Sequence, residues 1–600
     1  MGDDVTVEAD VFTDGHDAVV AELLWKYASD SEWRHAPMTF LGNDHWTASF
    51  RVEQLGRYEY TVHAWTDALL TWQRDLKKRE AAGQDLSIDF LIGGALSCNP
   101  VLKDAARPAS ERYATAMSLK PAPPDASQVL VYDKVLEVNV DPVRARFSTW
   151  YELFPRSVRG DGTHATFRDL IDFLPEVAAM GFDVLYLPPV HPIGMTERKG
   201  KNNALNAKPD DVGSPWAIGA KEGGHKALHP QLGSFADFDA LVKAAGKRNI
   251  AIALDIAFQC SPDHPYVREH PEWFKQRPDG TVQYAENPPK KYEDIVNPDF
   301  YGSDSMGLWT ALRDVVLFWV EQGVRIFRVD NPHTKPFPFW EWLIREIQTA
   351  EPAVIFLAEA FTRPKVMKAL AKLGFTQSYT YFTWRTEKEE LQAYLSEITR
   401  YPEREYFRPN FFTNTPDILP FHLQSGEPWI FKARVALAAT LSGNYGIYNG
   451  FELLEHDAVA GREEYLDSEK YEVKVRDWDK PGNIKSYIGH LNWLRRSHPA
   501  LQQTSRLYFA QIDDAEVIGF VKEAEAGDDA VAVAIALSNS GPHEFWFHFG
   551  DIEIGPPGAR QRVREIENLT TGTRHTIEWG GVRLRIAPDQ DPALLFRCLA

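Results

Sequence analysis

Apolar and polar residues alternate with a period of two in the first part of the chain. The runs VTVEADVF, HWTASFRV and YEYTVHAW have this spacing and are separated by Gly, Asn and Asp. Alternation of this kind directs every second side chain to one face, which is typical of half-buried strands joined by turns. The pattern predicts an N-terminal β-sandwich whose first part covers residues 1–66.

The pattern then changes to charged, Ala-rich sequence. WQRDLKKREAAG and RPASERYATAMSLK precede the proline-rich break PAPPD. We predict a helical insertion over 67–125, followed by a return to the N-terminal domain and a linker over 126–147. A solvated cap is the more common role of such an insertion, and a contact between subunits in a dimer is the alternative.

From residue 148 onward, short apolar runs alternate with amphipathic helical segments such as FADFDALVKAAGKR. The apolar runs are STWYELF, FDVLYLPPV, IAIALDIAF, VRIFRVDN, VIFLAEA, SYTYFTW, PNFFTN and YGIYNG. Eight such repeats in one block predict a (β/α)8 TIM barrel over 148–505 rather than an open sheet. The Pro-, Asp- and His-rich segment over about 259–300 is predicted to be an excursion over the barrel mouth.

Period-two alternation returns at the C-terminal end. EVIGFVKEA, AVAVAIALS, HEFWFHF and VRLRIAP predict a C-terminal β-sandwich over 506–600. The expected fold class is therefore multidomain α/β, with the barrel flanked by two β-sandwiches. A length of 600 residues fits this division, because a single core does not grow to that size.

Composition narrows the class of protein. The apolar content of 44% is ordinary for a folded soluble chain, and the net charge of −20 disfavours a nucleic-acid partner. Cys98, Cys260 and Cys598 are scattered without the spacing of metal ligands, which indicates reduced thiols in a cytoplasmic protein. No stretch approaches 18 uninterrupted apolar residues, so we expect no membrane partner. We expect no metal and no cofactor.

Polar residues end several of the predicted barrel strands. Asp255 closes IAIALD, Arg328 and Asp330 close VRIFRVD, Glu359 closes VIFLAE, and Asp417 follows PNFFTNTP. Catalytic groups of a (β/α)8 barrel come from the C-terminal strand ends, so these five side chains are expected to converge. Capping of the following helices is the alternative for one or two of the carboxylates.

Capping does not explain the position of Arg328. Residues i and i+2 of a strand point the same way, so Arg328 lies beside Asp330 and lowers its pKa, as a nucleophile requires. Glu359 has only apolar neighbours in its strand, which raises its pKa, as a general acid requires. Carboxyl groups on adjacent strands are about 5 Å apart, the separation that suits double displacement with retention.

The strand-end motifs resemble a known superfamily. ALDIAFQ, GVRIFRVDN, FLAEA and FTNTPD are similar to the four signature regions of the α-amylase superfamily, in the same order. The resemblance implies that Asp330 is the nucleophile, Glu359 the general acid/base, Asp417 the transition-state-stabilising aspartate and Arg328 the invariant arginine.

Two departures from that superfamily are informative. Gln259-Cys260 replace the usual Asn-His after the first signature aspartate, and Thr415-Pro416 precede Asp417 where a histidine is usual. The first change argues against the structural calcium site of amylases. Loss of both histidines, which usually bind hydroxyls of the sugar, argues against ordinary starch hydrolysis.

The departures are themselves features of one subgroup. QCSPDHPYV, AENPPKKY, FRVDNPHTKPFPFWE, IFLAEAFTRP, SYTYFTWR, FFTNTPDIL and EEYLDSEKYE together resemble the maltose-1-phosphate maltosyltransferases. The similarity covers nearly the whole chain. It implies α-maltose 1-phosphate and an α-1,4-glucan as substrates, and a homodimer.

The resemblance also implies binding residues. Those that would bind the phosphate are Asn287, Lys290, Tyr292 and Asn331, with Gln259 close by. Those that would bind the maltosyl unit are Lys199, Asn203, Lys470 and Tyr471. As bare sequence, NPPKKY is also compatible with a solvated turn, and RKGKNN and DSEKYE with exposed loops.

The predicted activity is a retaining transfer of a maltosyl unit from α-maltose 1-phosphate to the non-reducing end of an α-1,4-glucan, with release of phosphate. The alternative enzyme is a glucan hydrolase or transglycosylase that uses uncharged donors. A third hypothesis is a non-catalytic glucan-binding protein, against which the complete strand-end set argues.

Overall fold

The structure is a computed structural model that describes residues 1–287 and 290–600, without the side chains of Asn287 and Lys290. The chain forms two compact units, Met1–Pro142 and Val143–Ala600.

The first unit contains two antiparallel sheets. Its strands are β1 (Asp4–Asp10), β2 (Ala18–Tyr27), β3 (Arg34–Pro37), β4 (Thr39–Gly42), β5 (His45–Arg51), β6 (Gly56–Asp67), β7 (Leu130–Val131) and β8 (Leu136–Val140). One sheet has the order β1-β5-β4, and the other has the order β3-β2-β6-β7 with β8 also paired to β6. Leu23, Phe50 and Tyr58 are buried in one apolar cluster of this unit.

Four helices lie between β6 and β7 in the chain. They are α1 (Ala68–Ala81), α2 (Ser87–Leu96), α3 (Pro100–Lys103) and α4 (Ala109–Ser118). Helix α1 begins where the Asp67 side chain accepts a hydrogen bond from Leu70 N. The helices share a small apolar core around Trp72, Leu76 and Phe90. The apolar side chains of α2 that remain exposed are Ile88, Leu91, Ile92 and Leu96.

The second unit starts with a barrel of eight parallel strands, which confirms the predicted fold class. Its strands and the hairpin inserted among them are β9 (Ser148–Glu152), β10 (Val184–Leu187), β11 (Ala251–Ile256), β12 (Tyr284–Asn287), β13 (Lys290–Val296), β14 (Ile326–Val329), β15 (Ile355–Ala358), β16 (Gln377–Ser378), β17 (Asn410–Phe412) and β18 (Asn444–Tyr448). The order around the barrel is β16-β15-β14-β11-β10-β9-β18-β17, and β12-β13 is a separate antiparallel hairpin.

The barrel closes between β16 and β17 through a short contact. β16 has two residues, whereas the apolar run SYTYFTW predicts a longer strand. The chain leaves the strand at Thr380, whose side chain accepts a hydrogen bond from Phe382 N and caps a short 3₁₀ turn over Tyr381–Trp384. Ser378 N donates to Arg408 O at 3.0 Å and so joins β16 to the segment before β17.

Helices surround the barrel and connect its strands. They are α5 (Val143–Arg146), α6 (Phe167–Ala179), α7 (Phe235–Gly246), α8 (Pro265–Glu269), α9 (Ser305–Glu321), α10 (Phe337–Ala350), α11 (Pro364–Lys372), α12 (Lys388–Ile398), α13 (Pro428–Leu441) and α14 (Lys485–Ser497). Capping boxes fix the starts of α6 (Thr166 with Asp169) and α7 (Ser234 with Asp237). Within the described ranges, no helix combines the length and apolar character needed to span a bilayer.

The C-terminal part of this unit is a two-layer β structure. Its strands are β19 (Leu507–Phe509), β20 (Gln511–Ile512), β21 (Val517–Glu523), β22 (Ala530–Ala536), β23 (His543–His548), β24 (Glu553–Ile554), β25 (Gln561–Arg562), β26 (Glu565–Asn568), β27 (Arg574–Thr576), β28 (Gly581–Ile586) and β29 (Ala593–Leu599). The inner sheet has the order β19-β21-β22-β29-β26-β27 and the outer sheet β20-β23-β28.

Strand β22 shows how the two layers attach to the barrel. Val531, Val533 and Ile535 join the apolar core of the barrel, whereas Ala532 and Ala534 join the core between the two sheets. Alternate residues of a strand point to opposite faces, so this strand is buried on both sides. Its run AVAVAIA is therefore apolar throughout.

Candidate active site

Arg328 joins the carboxylates of three neighbouring barrel strands. Its Nη1 lies 2.8 Å from Asp255 Oδ2 and 2.8 Å from Asp330 Oδ1, and its Nη2 lies 2.9 Å from Glu359 Oε1. All four side chains are buried. The parallel register aligns Asp255 with Arg328 on adjacent strands, so the contacts follow from strand pairing.

Burial and charge move the pKa values of the two central carboxyl groups in opposite directions. Burial acts to raise the pKa of Asp330, but the Arg328 charge, with Lys335 next, outweighs it and the pKa is lowered. Burial raises the pKa of Glu359 to about 8, and the nearby Asp330 and Asp417 carboxylates add to the effect although Arg328 opposes it. An ionised carboxylate therefore stands beside a protonated one, the pairing that a nucleophile and a general acid require.

Two more buried carboxyl groups lie in the barrel beneath this pair. Asp255 accepts a hydrogen bond from Tyr186 Oη at 2.6 Å, and burial raises its pKa to about 7. Glu152 ends β9, and burial raises its pKa as well. Its Oε2 is buried without a hydrogen-bond partner among the described residues. Sequence reasoning missed Glu152, although its position at the end of STWYE is the signal that identified the other carboxylates.

Asp417 makes no described ion pair with Arg328, although its charge acts on Glu359. About half of its side chain is exposed, and Lys470 Nζ donates to its Oδ1. Lys470 is itself 4.9 Å from the centre of the Trp216 ring, and Gln259 Nε2 donates to Trp216 O at 3.3 Å. Burial acts to lower the pKa of Lys470, but the Asp417 carboxylate outweighs it and the pKa is raised.

A second group of predicted residues surrounds a carboxylate that sequence reasoning missed. Lys199 is buried and its Nζ donates to Glu293 Oε2 at 2.6 Å. Asp294 is also buried, and its raised pKa comes from burial, which the charges of Lys199 and Lys470 oppose. Tyr471 has a raised pKa from burial and feels the charges of Lys470, Asp417 and Asp294. In sequence Asp294 follows the lysine-rich loop and gives no separate signal.

Asn331 has a left-handed backbone, with φ of 43° and ψ of 53°. This conformation directs its backbone N to Glu359 Oε2 at 3.2 Å, while its Nδ2 lies 3.4 Å from Asp330 Oδ2. Asparagine tolerates the left-handed region better than most residues. One residue therefore contacts both carboxyl groups of the central pair. Lys335, four residues further on, is buried and also feels the charge of Asp330, but its sequence context gave no reason to select it.

Four predicted residues are not joined to the others by described hydrogen bonds or ion pairs. Asn203 is exposed on a short 3₁₀ turn, with φ of 60°. The side chains of Asn287 and Lys290 lie outside the described residues. Tyr292 belongs to the same hairpin and packs with Ile193 and Ala217 in a small apolar cluster.

One group of buried side chains has the composition of a metal site. Ligand atoms of His225, Cys260 and His264 lie within 4.8 Å of one another. All four ring nitrogens already have partners, because Tyr266 N donates to His264 Nδ1, His264 Nε2 lies 3.0 Å from His225 Nδ1, and His225 Nε2 lies 2.9 Å from Ala257 O. Burial lowers the pKa of His225 to about 4. The group is a hydrogen-bonded chain of neutral imidazoles that ties loops together.

Comparison with solved structures identifies the class of fold. An α-amylase from Geobacillus thermoleovorans, solved with acarbose, superposes with a TM-score of 0.59 at 14% sequence identity. The match covers 76% of this chain and 98% of that one. The fold is that of an α-amylase-type (β/α)8 barrel protein.

Comparison of sequences identifies the family. Residues 1–153 match the family model described as "Alpha-1,4-glucan:maltose-1-phosphate maltosyltransferase, domain N/S". Proteins with the name alpha-1,4-glucan:maltose-1-phosphate maltosyltransferase from Myxococcus xanthus and Chlorobaculum tepidum are each 50% identical to this chain, over 99% of it and 93% of their own length. The chain belongs to the α-1,4-glucan:maltose-1-phosphate maltosyltransferase family.

Proposed function

We propose that this protein transfers a maltosyl unit from α-maltose 1-phosphate to the non-reducing end of an α-1,4-glucan and releases inorganic phosphate. The observation that carries the proposal is the pairing of Asp330 and Glu359 on one guanidinium with pKa values moved in opposite directions. Membership of the maltosyltransferase family supports the identity of the donor and the acceptor.

In the first step, ionised Asp330 attacks the anomeric carbon of the donor. The bond from that carbon to the phosphate oxygen breaks as Glu359 gives its proton to the leaving phosphate, and a β-maltosyl ester forms on Asp330. Arg328 contacts both carboxyl groups and stabilises the negative charge that moves from one to the other.

In the second step, Glu359 acts as a base. It removes the proton from the 4-hydroxyl at the non-reducing end of the glucan, whose oxygen attacks the anomeric carbon and releases Asp330. Two inversions give net retention, and the glucan is longer by two glucose units. Asp417 assists as a carboxylate near the positive charge of the oxocarbenium-like transition state.

Phosphate recognition is assigned to groups on the leaving-group side of Glu359. Asn331 contacts Glu359 through its backbone N and carries an amide donor beside it. The β12–β13 hairpin contains Tyr292, with Asn287 and Lys290 as the further proposed phosphate ligands. Amide, phenol and ammonium groups all donate hydrogen bonds, so they suit a phosphate with about two negative charges. An amylase site binds a neutral leaving sugar and has no need of such groups.

The maltosyl unit is assigned to the groups around Asp294. Lys199, Lys470 and Tyr471 supply hydrogen-bond donors and Asp294 an acceptor, and sugar hydroxyls need both. The ring of Trp216 faces the Lys470 ammonium and supplies an aromatic wall to the proposed maltosyl site. Gln259 lies against Trp216, and Asn203 on the neighbouring exposed turn completes the proposed set.

The experiment that tests the activity measures phosphate release from α-maltose 1-phosphate in the presence of maltotetraose. Asp330→Ala is expected to reduce the rate by at least about 10⁴-fold, because no covalent intermediate can form. Phosphate release at the wild-type rate from Asp330→Ala would exclude the proposed mechanism.

Lys290→Ala separates a phosphate donor from an uncharged one. A large loss is expected with α-maltose 1-phosphate, while Lys291→Ala, on the adjacent exposed position of the same hairpin, serves as the matched control. Equal effects of the two variants, together with rapid disproportionation of maltooligosaccharides without phosphate, would favour a transglycosylase that uses uncharged donors.

The proposal includes a homodimer in the cytoplasm. Helix α2 leaves four large apolar side chains exposed, which favours a contact of the helical insertion with a second copy of the chain. The three cysteines are free thiols, as expected in a reducing compartment. The domain boundaries predicted from sequence, at 66, 125, 147 and 505, are part of the same proposal.

A further inference from the structure

The outer sheet of the C-terminal β structure carries aromatic side chains on the face that points away from the barrel. Along β23, His543, Phe545 and Phe547 are buried, so Trp546 and His548 point outward. Their rings lie 5.8 Å apart with 20° between the ring planes. We call Trp546, His548 and Trp579 the aromatic ledge.

A glycine on the neighbouring strand keeps the ledge flat. Gly581 of β28 is directly opposite His548. A Cβ atom added at Gly581 would lie 2.8 Å from His548 Nδ1, so the imidazole ring occupies the space above this glycine. Any larger residue at 581 would displace the ring from its place beside Trp546.

Trp579 is at the tip of the turn that leads into β28. Glu578 and Gly581 exchange two backbone hydrogen bonds of 2.9 Å, which leaves Trp579 and Gly580 as a two-residue loop. Both have positive φ, 53° and 78°, as in a type I′ turn. Such turns favour Asn, Asp or Gly at the first position, and a bulky side chain there is strained.

No packing compensates for this strain, because the Trp579 side chain is 95% exposed. A strained and wholly exposed tryptophan is a cost to the free protein in both backbone energy and hydrophobic exposure. Strain of this kind is typical of sites where a ligand is bound. Because β23 and β28 are antiparallel and Gly581 is opposite His548, the backbone of Trp579 lies beyond His548 in the direction that runs from Trp546 to His548.

We propose that the aromatic ledge is a surface site for a single α-1,4-glucan chain, separate from the barrel mouth. The flat apolar faces of glucose rings stack on aromatic rings. Glu544, Arg583 and Arg585 lie exposed beside Trp546 on the same face and supply acceptors and donors for sugar hydroxyls. Three rings flanked by charged side chains suit a narrow polar chain with apolar faces.

The choice of an α-glucan as the ligand rests on the proposed function, in which the acceptor is such a polymer. A second contact on a long chain keeps its free ends near the enzyme between transfers and so raises their effective concentration. The site is therefore expected to matter for long glucans and not for short acceptors.

The test measures retention of the full-length protein by native electrophoresis in gels that contain glycogen, without any sugar phosphate. Trp579→Asn removes the ring and supplies a residue that the turn favours, so its melting temperature should equal or exceed that of the wild type. Trp546→Ala removes the tryptophan ring that lies beside His548 on β23. Trp493→Ala, which removes another exposed tryptophan on α14, is the matched control.

Each ledge variant is expected to weaken glycogen binding by about fivefold, and the double variant by more, whereas Trp493→Ala binds as the wild type. Transfer from α-maltose 1-phosphate to maltotetraose should be unchanged in all of them. Wild-type retention of Trp579→Asn, or an equal loss in Trp493→Ala, would overturn the proposal. Because binding is measured without the donor, a failure of the proposed transfer activity would be seen separately.

Discussion

At Asp330 and Glu359 the same two influences, burial and the charge of Arg328, give opposite results. Asp330 has Lys335 as a further cation, so its ionised form is favoured. Glu359 instead faces the carboxylates of Asp330 and Asp417, so its neutral form is favoured. The opposite pKa shifts of the two residues therefore come from their charged neighbours and not from the difference between Asp and Glu.

The raised pKa of Glu359 predicts the alkaline side of the pH profile. Below about pH 8 Glu359 is protonated and can donate to the leaving phosphate, and above it this form is lost. We expect kcat/KM for phosphate release to fall about tenfold per pH unit above that point. Rates measured from pH 6.5 to 9.5 check this, because the donor phosphate is already ionised there. A profile flat to pH 9.5 would contradict the assignment of Glu359 as the acid.

Lys335 is predicted to set the acid side of the profile. Lys335→Met removes a buried cation near Asp330, so the pKa of Asp330 rises and the acid limb of kcat/KM moves up by about one pH unit. α-Maltosyl fluoride is the suitable donor because it has no titrating phosphate. Lys335→Arg keeps the charge and is the control. Identical acid limbs in the wild type and Lys335→Met would show that Lys335 only fills space.

For individual site residues, the sequence was informative where a polar residue ends an apolar strand. Asp330, Glu359 and Arg328 were selected in this way, and the structure brings them into contact. Asp294 was missed because its strand, β13, has no alternation of apolar and polar residues in the sequence, and Lys335 because it lies on a loop, where no periodic pattern fixes the direction of a side chain. Their significance depends on long-range neighbours such as Lys470, 176 positions from Asp294 in the chain.

Among the elements, the loops after β10 and β11 are held together by the imidazole chain of His225 and His264. Gly224 lies against it, and a Cβ atom there would lie 2.1 Å from His264 Nε2. The hydrogen bond from that nitrogen to His225 therefore requires glycine at position 224. The contact of Gly224 with the His264 ring joins residues 40 positions apart in the chain, so no local sequence pattern predicts it.

Two glycine substitutions should have opposite effects on stability. Gly224→Ala is expected to lower the free energy of unfolding by about 1–3 kcal/mol, because the added methyl group overlaps the His264 ring. Gly246→Ala, at the exposed end of α7 with no atom near its Cβ position, should raise it by about 0.4–1 kcal/mol. Urea unfolding of the two variants measures both values. An unchanged free energy of unfolding in Gly224→Ala would mean that the His225 and His264 rings can shift to accommodate the methyl group without loss of stability.

The period of apolar residues in the sequence predicted whether a segment is a helix or a strand, but it did not predict how long the element is. All eight predicted strand regions contribute to the barrel, yet SYTYFTW forms only the end of β16 and then a 3₁₀ turn. The Thr380 side chain decides this by accepting a local hydrogen bond, which competes with strand pairing. Such a local choice is invisible to a pattern of apolar and polar positions.

For the whole molecule, the exposed apolar side of α2 gives a test of the proposed dimer. The double variant Ile88→Asp with Ile92→Asp puts two charges on this surface and should yield monomers, since burial of unpaired charge opposes association. Light scattering of the purified protein measures the mass. Met306→Asp, at an exposed apolar position on α9, is the control. A variant that keeps the wild-type mass would rule out α2 as the contact.

The contact of one guanidinium with two carboxyl groups has a consequence for the energetics of the whole reaction cycle. In the proposed first step, Asp330 loses its negative charge to a covalent ester as Glu359 gains one by giving up its proton. Nη1 and Nη2 of Arg328 already face these two positions. The counter-ion therefore stays still while the charge crosses from one of its nitrogens to the other. The charge exchange between the two carboxyl groups requires no movement of their shared cation, so it requires little dielectric reorganisation of its surroundings.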